Sequence, residues 1–237
     1  MLTLLDNGGT YELPTNWSEV STKQFCDTDP LRTVEERASY FAGRPIQVNG
    51  LVADVLAWML TPPPLGSSFD YPADLGQETY LQVETIRALL AAAPLHQCFA
   101  QVYGTYTARQ HYYRDRSSYR QDIAGQVATN CLAWDIVNTY PAVAHCLTEL
   151  QRLATKYAEL AEPDPTEAAA RARAAGADEL LGIFGHYNVA RALAQQMGIT
   201  LDAAYQLPFE SVCVHLLHER RSAILADTIQ RNAARND

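Results

Sequence analysis

Positive charge is scarce in this chain. Among 237 residues, 18 are Lys or Arg against 27 Asp or Glu, a formal charge of −9 with a pI near 5.1. Proteins that grip a phosphate backbone unaided present a basic face, so the balance weighs against a nucleic-acid partner. Long apolar runs are also missing. No stretch approaches the roughly 18 apolar residues of a membrane helix. The N-terminal "MLTLLDNGGTYELP" lacks the basic and long apolar regions of a signal peptide. No membrane association is expected, and the expected location is cytoplasmic. The five cysteines, Cys26, Cys98, Cys131, Cys146 and Cys213, are scattered, odd in number and free of any C-x-x-C spacing. A disulfide framework or zinc ribbon is thereby excluded in favour of reduced thiols. No G-x-G-x-x-G, Walker or G-x-S-x-G sequence occurs, and no internal repeat is legible.

What the chain does have is apolar content, 48%, against only 19% charged residues. That excludes compositional disorder and suffices for one substantial core or two small ones. Asn7-Gly8 between Leu2, Leu4, Tyr11 and Leu13 predicts a β-hairpin, because a tight primed turn needs positive φ at its centre. Ser21 with Gln24 three residues later is a capping-box signature, with Val20 as the staple residue. In "VNGLVADVLAWML" the apolar recurrence predicts a helix capped by Asn49, ended by the prolines of "TPPPLGSSFDYPADLG". "QETYLQVETIRALLAA" resumes helix. Pro141 fits the first position of another, whose stripe is Val143, Cys146, Leu147, Leu150, Leu153 and Tyr157. Gly198 reads as a helix terminator, Thr200 as a cap, and Pro208 as the start of a final helix that frays at "QRNAARND".

The expected fold is mainly α, a helical bundle with a small N-terminal β-hairpin and room for a short strand pair near residues 100–120. The expected organisation is a hairpin plus helical unit over 1–62, a Pro/Gly-rich loop over 63–79 and a central helical region with a Tyr/Arg-rich segment over 80–160. A linker with an Ala-rich helix over 161–177 and a C-terminal helical unit over 178–237 complete it.

Several segments carry candidate chemistry. In "VCVHLLHER", Cys213, His215, His218 and Glu219 are all metal-capable. Zincin-type binding wants histidines at i and i+4 with a glutamate after the first; here they are three apart and Glu219 follows the second. A solvent-facing or interface helix is the better reading, and neither metal nor cofactor is expected. Cys131 and Cys146 fall in apolar patterns that suit small core residues. No catalytic residue emerges, and no enzyme is expected. "VARALAQQMGITLDAAYQL" has the outline of a DNA-binding helix-turn-helix. Its second helix offers Tyr205 and Gln206 but no cation, and a bundle corner is preferred. In "YTARQHYYRDRSSYR", Arg109, Tyr112, Tyr113 and Arg116 combine residue types enriched at protein–protein hot spots.

Three segments together resemble a known group. They are "ELPTNWSEVSTKQF" with the helical unit ending "LVADVLAWML", then "VNTYPAVAHCLTELQRL", then "FGHYNVARALAQQMGITLDAAYQLPFESVCVHLLHERRSA". The chain resembles tail-assembly (morphogenesis) proteins of tailed bacteriophages and prophages, above all the tail assembly chaperones, at its two ends, with the centre unmatched. The resemblance implies a non-catalytic protein of the host cell cytoplasm that binds phage tail proteins, the tape measure or tail tube, during virion morphogenesis. It leaves room for self-association and for a structural tail or connector role; a helix-turn-helix regulator and, last, a metal-dependent enzyme are the other readings. The expected client surface comprises Arg109, Tyr112, Tyr113 and Arg116 with Leu216, Leu217 and Ile224 of the final helix.

Overall fold

The alternation of Leu2, Leu4, Tyr11 and Leu13 does build a hairpin. In the computed structural model of the chain, which describes residues 1–6, 9–63, 74–92 and 121–236, β1 (Leu2–Asp6) pairs with β2 (Gly9–Leu13) antiparallel, from Leu2↔Leu13 to Asp6↔Gly9. The Asn7-Gly8 pair and the strand pair expected near residues 100–120 lie outside the described residues. Everything else regular among the described residues is helical, so the fold is mainly α with one small two-stranded sheet. The helices are α1 (Thr22–Thr28), α2 (Val34–Ala42), α3 (Gly50–Leu56), α4 (Tyr80–Ala92), α5 (Gln121–Cys131), α6 (Ile136–Lys156), α7 (Glu167–Ala174), α8 (Ala177–Leu181), α9 (Gly185–Met197), α10 (Leu201–Tyr205) and α11 (Phe209–Asn236). They fall into two compact units. One comprises Met1–Pro72, Ile86–Arg116 and Arg120–Leu147, the other Ala73–Thr85, Ser117–Tyr119 and Thr148–Asp237.

In the first unit, Leu13 of the hairpin joins Val34, Ala38, Ile46, Leu56 and Met59 in a buried cluster, with Leu2, Leu4 and Tyr11 packed against it. The helices around it start where local chemistry dictates. Ser21 and Gln24 form the full capping box of α1, Thr33 and Glu36 that of α2, and the Asn49 side chain accepts from the Val52 amide of α3. Trp17 stands edge-on to both Phe25 and Trp58, with ring centroids 5.3 and 4.8 Å apart, the quadrupole-favoured geometry.

A clasp of three backbone bonds ties α1 to the start of α6, one of them from the Lys23 amide to Leu132 O (3.1 Å). Ser21 and Asp135 form an isolated antiparallel bridge in which the Thr22 amide donates to Trp134 O (2.7 Å) and the Ile136 amide to Val20 O (2.8 Å). Behind it the buried hydroxyls of Thr22 and Thr139 meet at 2.7 Å. The clasp corrects one expectation. The helix begins at Ile136, and Pro141 lies inside it. The start is set by a distant carbonyl capturing the Ile136 amide, and the helix accepts the one backbone bond that Pro141 cannot make.

The second unit has a clasp of the same kind. Thr79 bridges Pro208, the Tyr80 amide donating to Leu207 O and the Phe209 amide to Glu78 O, both at 2.8 Å. Pro208 loses nothing here, because the bonds of such a pair are made by the flanking residues. Gly198, at φ 65°, terminates α9, and the Thr200 side chain caps α10. The final helix α11 runs on to Asn236, through the tail expected to fray.

Candidate functional site

The final helix is apolar on two faces, and among the described residues only one is covered. Phe209, Val212 and Cys213 are buried, with Leu216 and Ile224 half-buried further along the same side. Segment 158–167 lies along that side. Arg220 donates to the carbonyls of Glu162 (2.8 Å) and Pro163 (3.0 Å), Arg221 pairs with Glu159 at 2.6 Å, and the Glu167 amide donates to Asp227 at 3.4 Å. The other face is open. Val214, Leu225 and Ile229 are 54%, 62% and 59% exposed. With the half-buried Leu217 they recur at helical spacing, so they form one row. Val214, Leu217, His218, Arg221, Ser222 and Leu225 line a shallow apolar depression on it.

Three of the residues expected to meet a client lie on this helix. Leu217 sits in the open row. Leu216 and Ile224 are half-buried as Leu217 is, and Val214, Leu225 and Ile229 are the exposed large apolar residues of the helix. The signal was the second apolar series running beside the first. Arg109, Tyr112, Tyr113 and Arg116 lie outside the described residues.

The metal-capable residues of α11 diverge. Cys213 is buried, the His215 Nε2 meets Gln196 Oε1 of α9 at 2.7 Å, and the His218 side chain is 76% exposed, 3.7 Å from Glu219. Among the described residues no three His, Cys, Asp or Glu side chains gather at ligand distance. Burial pushes the Cys131 thiol up to about 12, which suits a core residue. The α9–α10 corner exists, but α10 is five residues long, with Asp202 exposed and Gln206 half-buried.

Glu210, in the first turn of α11, anchors the helix start. It accepts from Lys156 Nζ, from the Tyr157 hydroxyl at 2.9 Å and from Gln77 Nε2 at 3.3 Å. Nearby, Glu149 accepts from the Leu75 amide (3.2 Å) and from Arg152, which also reaches Asp74. The hydrogen bonds from Lys156 and Tyr157 hold the Glu210 carboxyl below its ordinary 4.5, and the Glu210 carboxylate raises Lys156. A depressed carboxylate contributes stability above its unfolded pKa and loses it as pH falls through the folded one. A raised lysine contributes below its own unfolded pKa and loses it at higher pH. The anchor is therefore complete between about pH 5 and 10. Glu210→Gln is expected to cost about 1 kcal/mol at pH 7 and to flatten the acid limb of a stability-versus-pH profile measured by urea unfolding.

Gly76 sits against this anchor. A Cβ there would lie 3.0 Å from Asp74 Oδ1 and 3.2 Å from both Cβ and Oε2 of Glu210. Gly76→Val is expected to lower stability by about 2 kcal/mol, read from the urea midpoint, since two sides of the space are already filled.

No family model, curated protein or solved structure matches the chain. No helix among the described residues is long and apolar enough to cross a membrane.

Proposed function

We propose that the chain is a non-catalytic tail assembly protein of the tailed-bacteriophage type, acting in chaperone-like fashion on the tape-measure or tail-tube protein in the cytoplasm of the infected cell. The resemblance of its two ends to such proteins supports this reading, and the open apolar row on α11 is the observation that carries it. Scattered apolar residues on a surface need no explanation, but Val214, Leu217, Leu225 and Ile229, recurring along one side of a helix with His218 and Arg221 among them, suit a partner helix laid alongside. The net charge of −9 keeps such a row in solution before the client arrives.

The test is capture of the tagged chain from cells producing phage particles, with mature particles assayed for the same chain. Recovery of tape-measure or tail-tube protein, with the chain absent from particles, is the expected result. Abundance in particles would make it a structural tail or connector component, and no tail partner in either fraction would sink the reading. The double variant Val214→Asp/Leu225→Asp should fold with stability within about 0.5 kcal/mol of wild type, because both side chains are already exposed. It should nonetheless recover little or no client in the same capture. Undiminished recovery would remove the row from the client surface.

A further inference from the structure

The two clasps share more than a pair of hydrogen bonds each. Their four strands of backbone are one motif, met four times. Each bridge residue, Ser21, Thr79, Asp135 and Pro208, is preceded by a tight turn with two backbone bonds in the same register. Glu19 and Val20 donate to Asn16 and Trp17; Gln77 and Glu78 to Asp74 and Leu75; Ala133 and Trp134 to Asn130 and Cys131; Gln206 and Leu207 to Ala203 and Ala204. A helix follows at the next residue in every case. Three positions are buried in all four. They are the one four before the bridge (Trp17, Leu75, Cys131, Ala204), the one after it (Thr22, Tyr80, Ile136, Phe209) and the one four after it (Phe25, Val83, Thr139, Val212).

The pairing of these motifs is specific. First pairs with third and second with fourth, each partner lying roughly half a chain away. In each pair two bonds are symmetric under exchange, the residue after either bridge donating to the residue before the other; the first pair adds one bond without a counterpart, from the Lys23 amide to Leu132 O (3.1 Å). In the second pair the equivalent residues Tyr80 and Phe209 stack on each other, 6.0 Å apart and 18° from parallel, an arrangement compatible with a two-fold relation. Doubling a self-contained pair of motifs would join first to second and third to fourth. Doubling a two-motif chain that associates with its own copy, like with like, joins first to third and second to fourth.

We infer that the chain is a fused dimer: two tandem copies of one two-motif unit, each copy holding the other through two like-with-like clasps. This stands independently of the proposed function. The halves share few identities at the motifs, Asn16 and Asn130 among them. What repeats is the bond pattern and the buried positions, which turn and helix-start geometry preserve while side chains change.

The bridge residues form non-hydrogen-bonded antiparallel pairs, whose Cα atoms stand about 4.5 Å apart, within disulfide range. The experiment introduces cysteine pairs into the full chain, oxidises the native protein and maps linked peptides by mass spectrometry. The matched variants Ser21→Cys/Asp135→Cys and Thr79→Cys/Pro208→Cys are expected to cross-link nearly completely. The mismatched variants Ser21→Cys/Pro208→Cys and Thr79→Cys/Asp135→Cys should yield only traces. Native-state hydrogen exchange on the unaltered protein is the second readout. The Thr22 and Ile136 amides are expected to share one protection factor, and the Tyr80 and Phe209 amides another. Efficient mismatched links, or amides of a pair that exchange independently, would overturn the inference.

Discussion

Arg37→Ala is expected to lower the stability of the first unit by about 3 kcal/mol, among the largest effects of any single change in the chain. Arg37 is only 8% exposed, on the inner side of α2. Its Nε donates to Leu31 O at 3.1 Å, and its Nη1 donates to Met59 O. Those carbonyls close two different segments onto α2. Burial lowers the guanidinium pKa, with the Asp29 charge acting in the opposite sense, but a guanidinium so shifted still carries its proton at neutral pH. Truncation therefore removes two charge-assisted bonds, leaves the buried Met59 carbonyl without this donor and deletes the aliphatic stem packed beside it. Arg37→Met separates these contributions. It restores most of the stem but neither donor, so its loss should fall between wild type and alanine in urea unfolding. Equal losses for Met and Ala would mean that the hydrogen bonds carry the effect alone.

Much of the fold is legible locally because it is locally determined. Ser21 with Gln24, Asn49, Gly198 and Thr200 all act where their side-chain chemistry says they should, since a cap needs only its own first turn. Thr33 with Glu36 carries the same signature and was equally readable. Pro141 shows where local reading stops. Its preference for a first helical position is real, but the Val20 carbonyl, far away in sequence, captures the Ile136 amide and moves the start upstream. Of the bridge residues, Ser21 is legible as a cap and Pro208 as a helix start, while their pairing is not, because only folding brings the partners together.

The candidate surface divides along the same line. That α11 would be amphipathic follows from the spacing of Phe209, Val212, Cys213, Leu216 and Leu217. Which of its apolar residues face outward depends on segment 158–167, held by Arg220 and Arg221, and no periodicity within α11 reports that. Periodicity alone therefore places Leu216, Leu217 and Ile224 in an apolar seam without separating seam from core. A covering segment shows in sequence only as charges complementary to the helix it will meet, here Glu159 against Arg221.

Phe209→Ala should cost about 4 kcal/mol and, under the proposed function, should also weaken binding of the proposed client, although Phe209 is no part of the open row. The ring is buried and stacks on Tyr80 at 6.0 Å, while the backbone amide of the same residue makes one of the two bonds of the second clasp. Removing the ring leaves a cavity at the start of α11, beside the Glu210 anchor and the Val212 and Cys213 side chains that seat the helix. The first turn of α11 then opens more readily, and the helix that presents Val214, Leu217, Leu225 and Ile229 is held mainly by segment 158–167. Hydrogen exchange should show faster exchange at Tyr80, Phe209 and the following turn, with the amides of α1 and α2 in the first unit unchanged. Phe209→Leu keeps most of the volume and should recover more than half of the lost stability. A client that binds the Phe209→Ala protein as tightly as wild type would show that the row works without a firmly seated helix, because a partner supplying enough binding energy can order α11 itself.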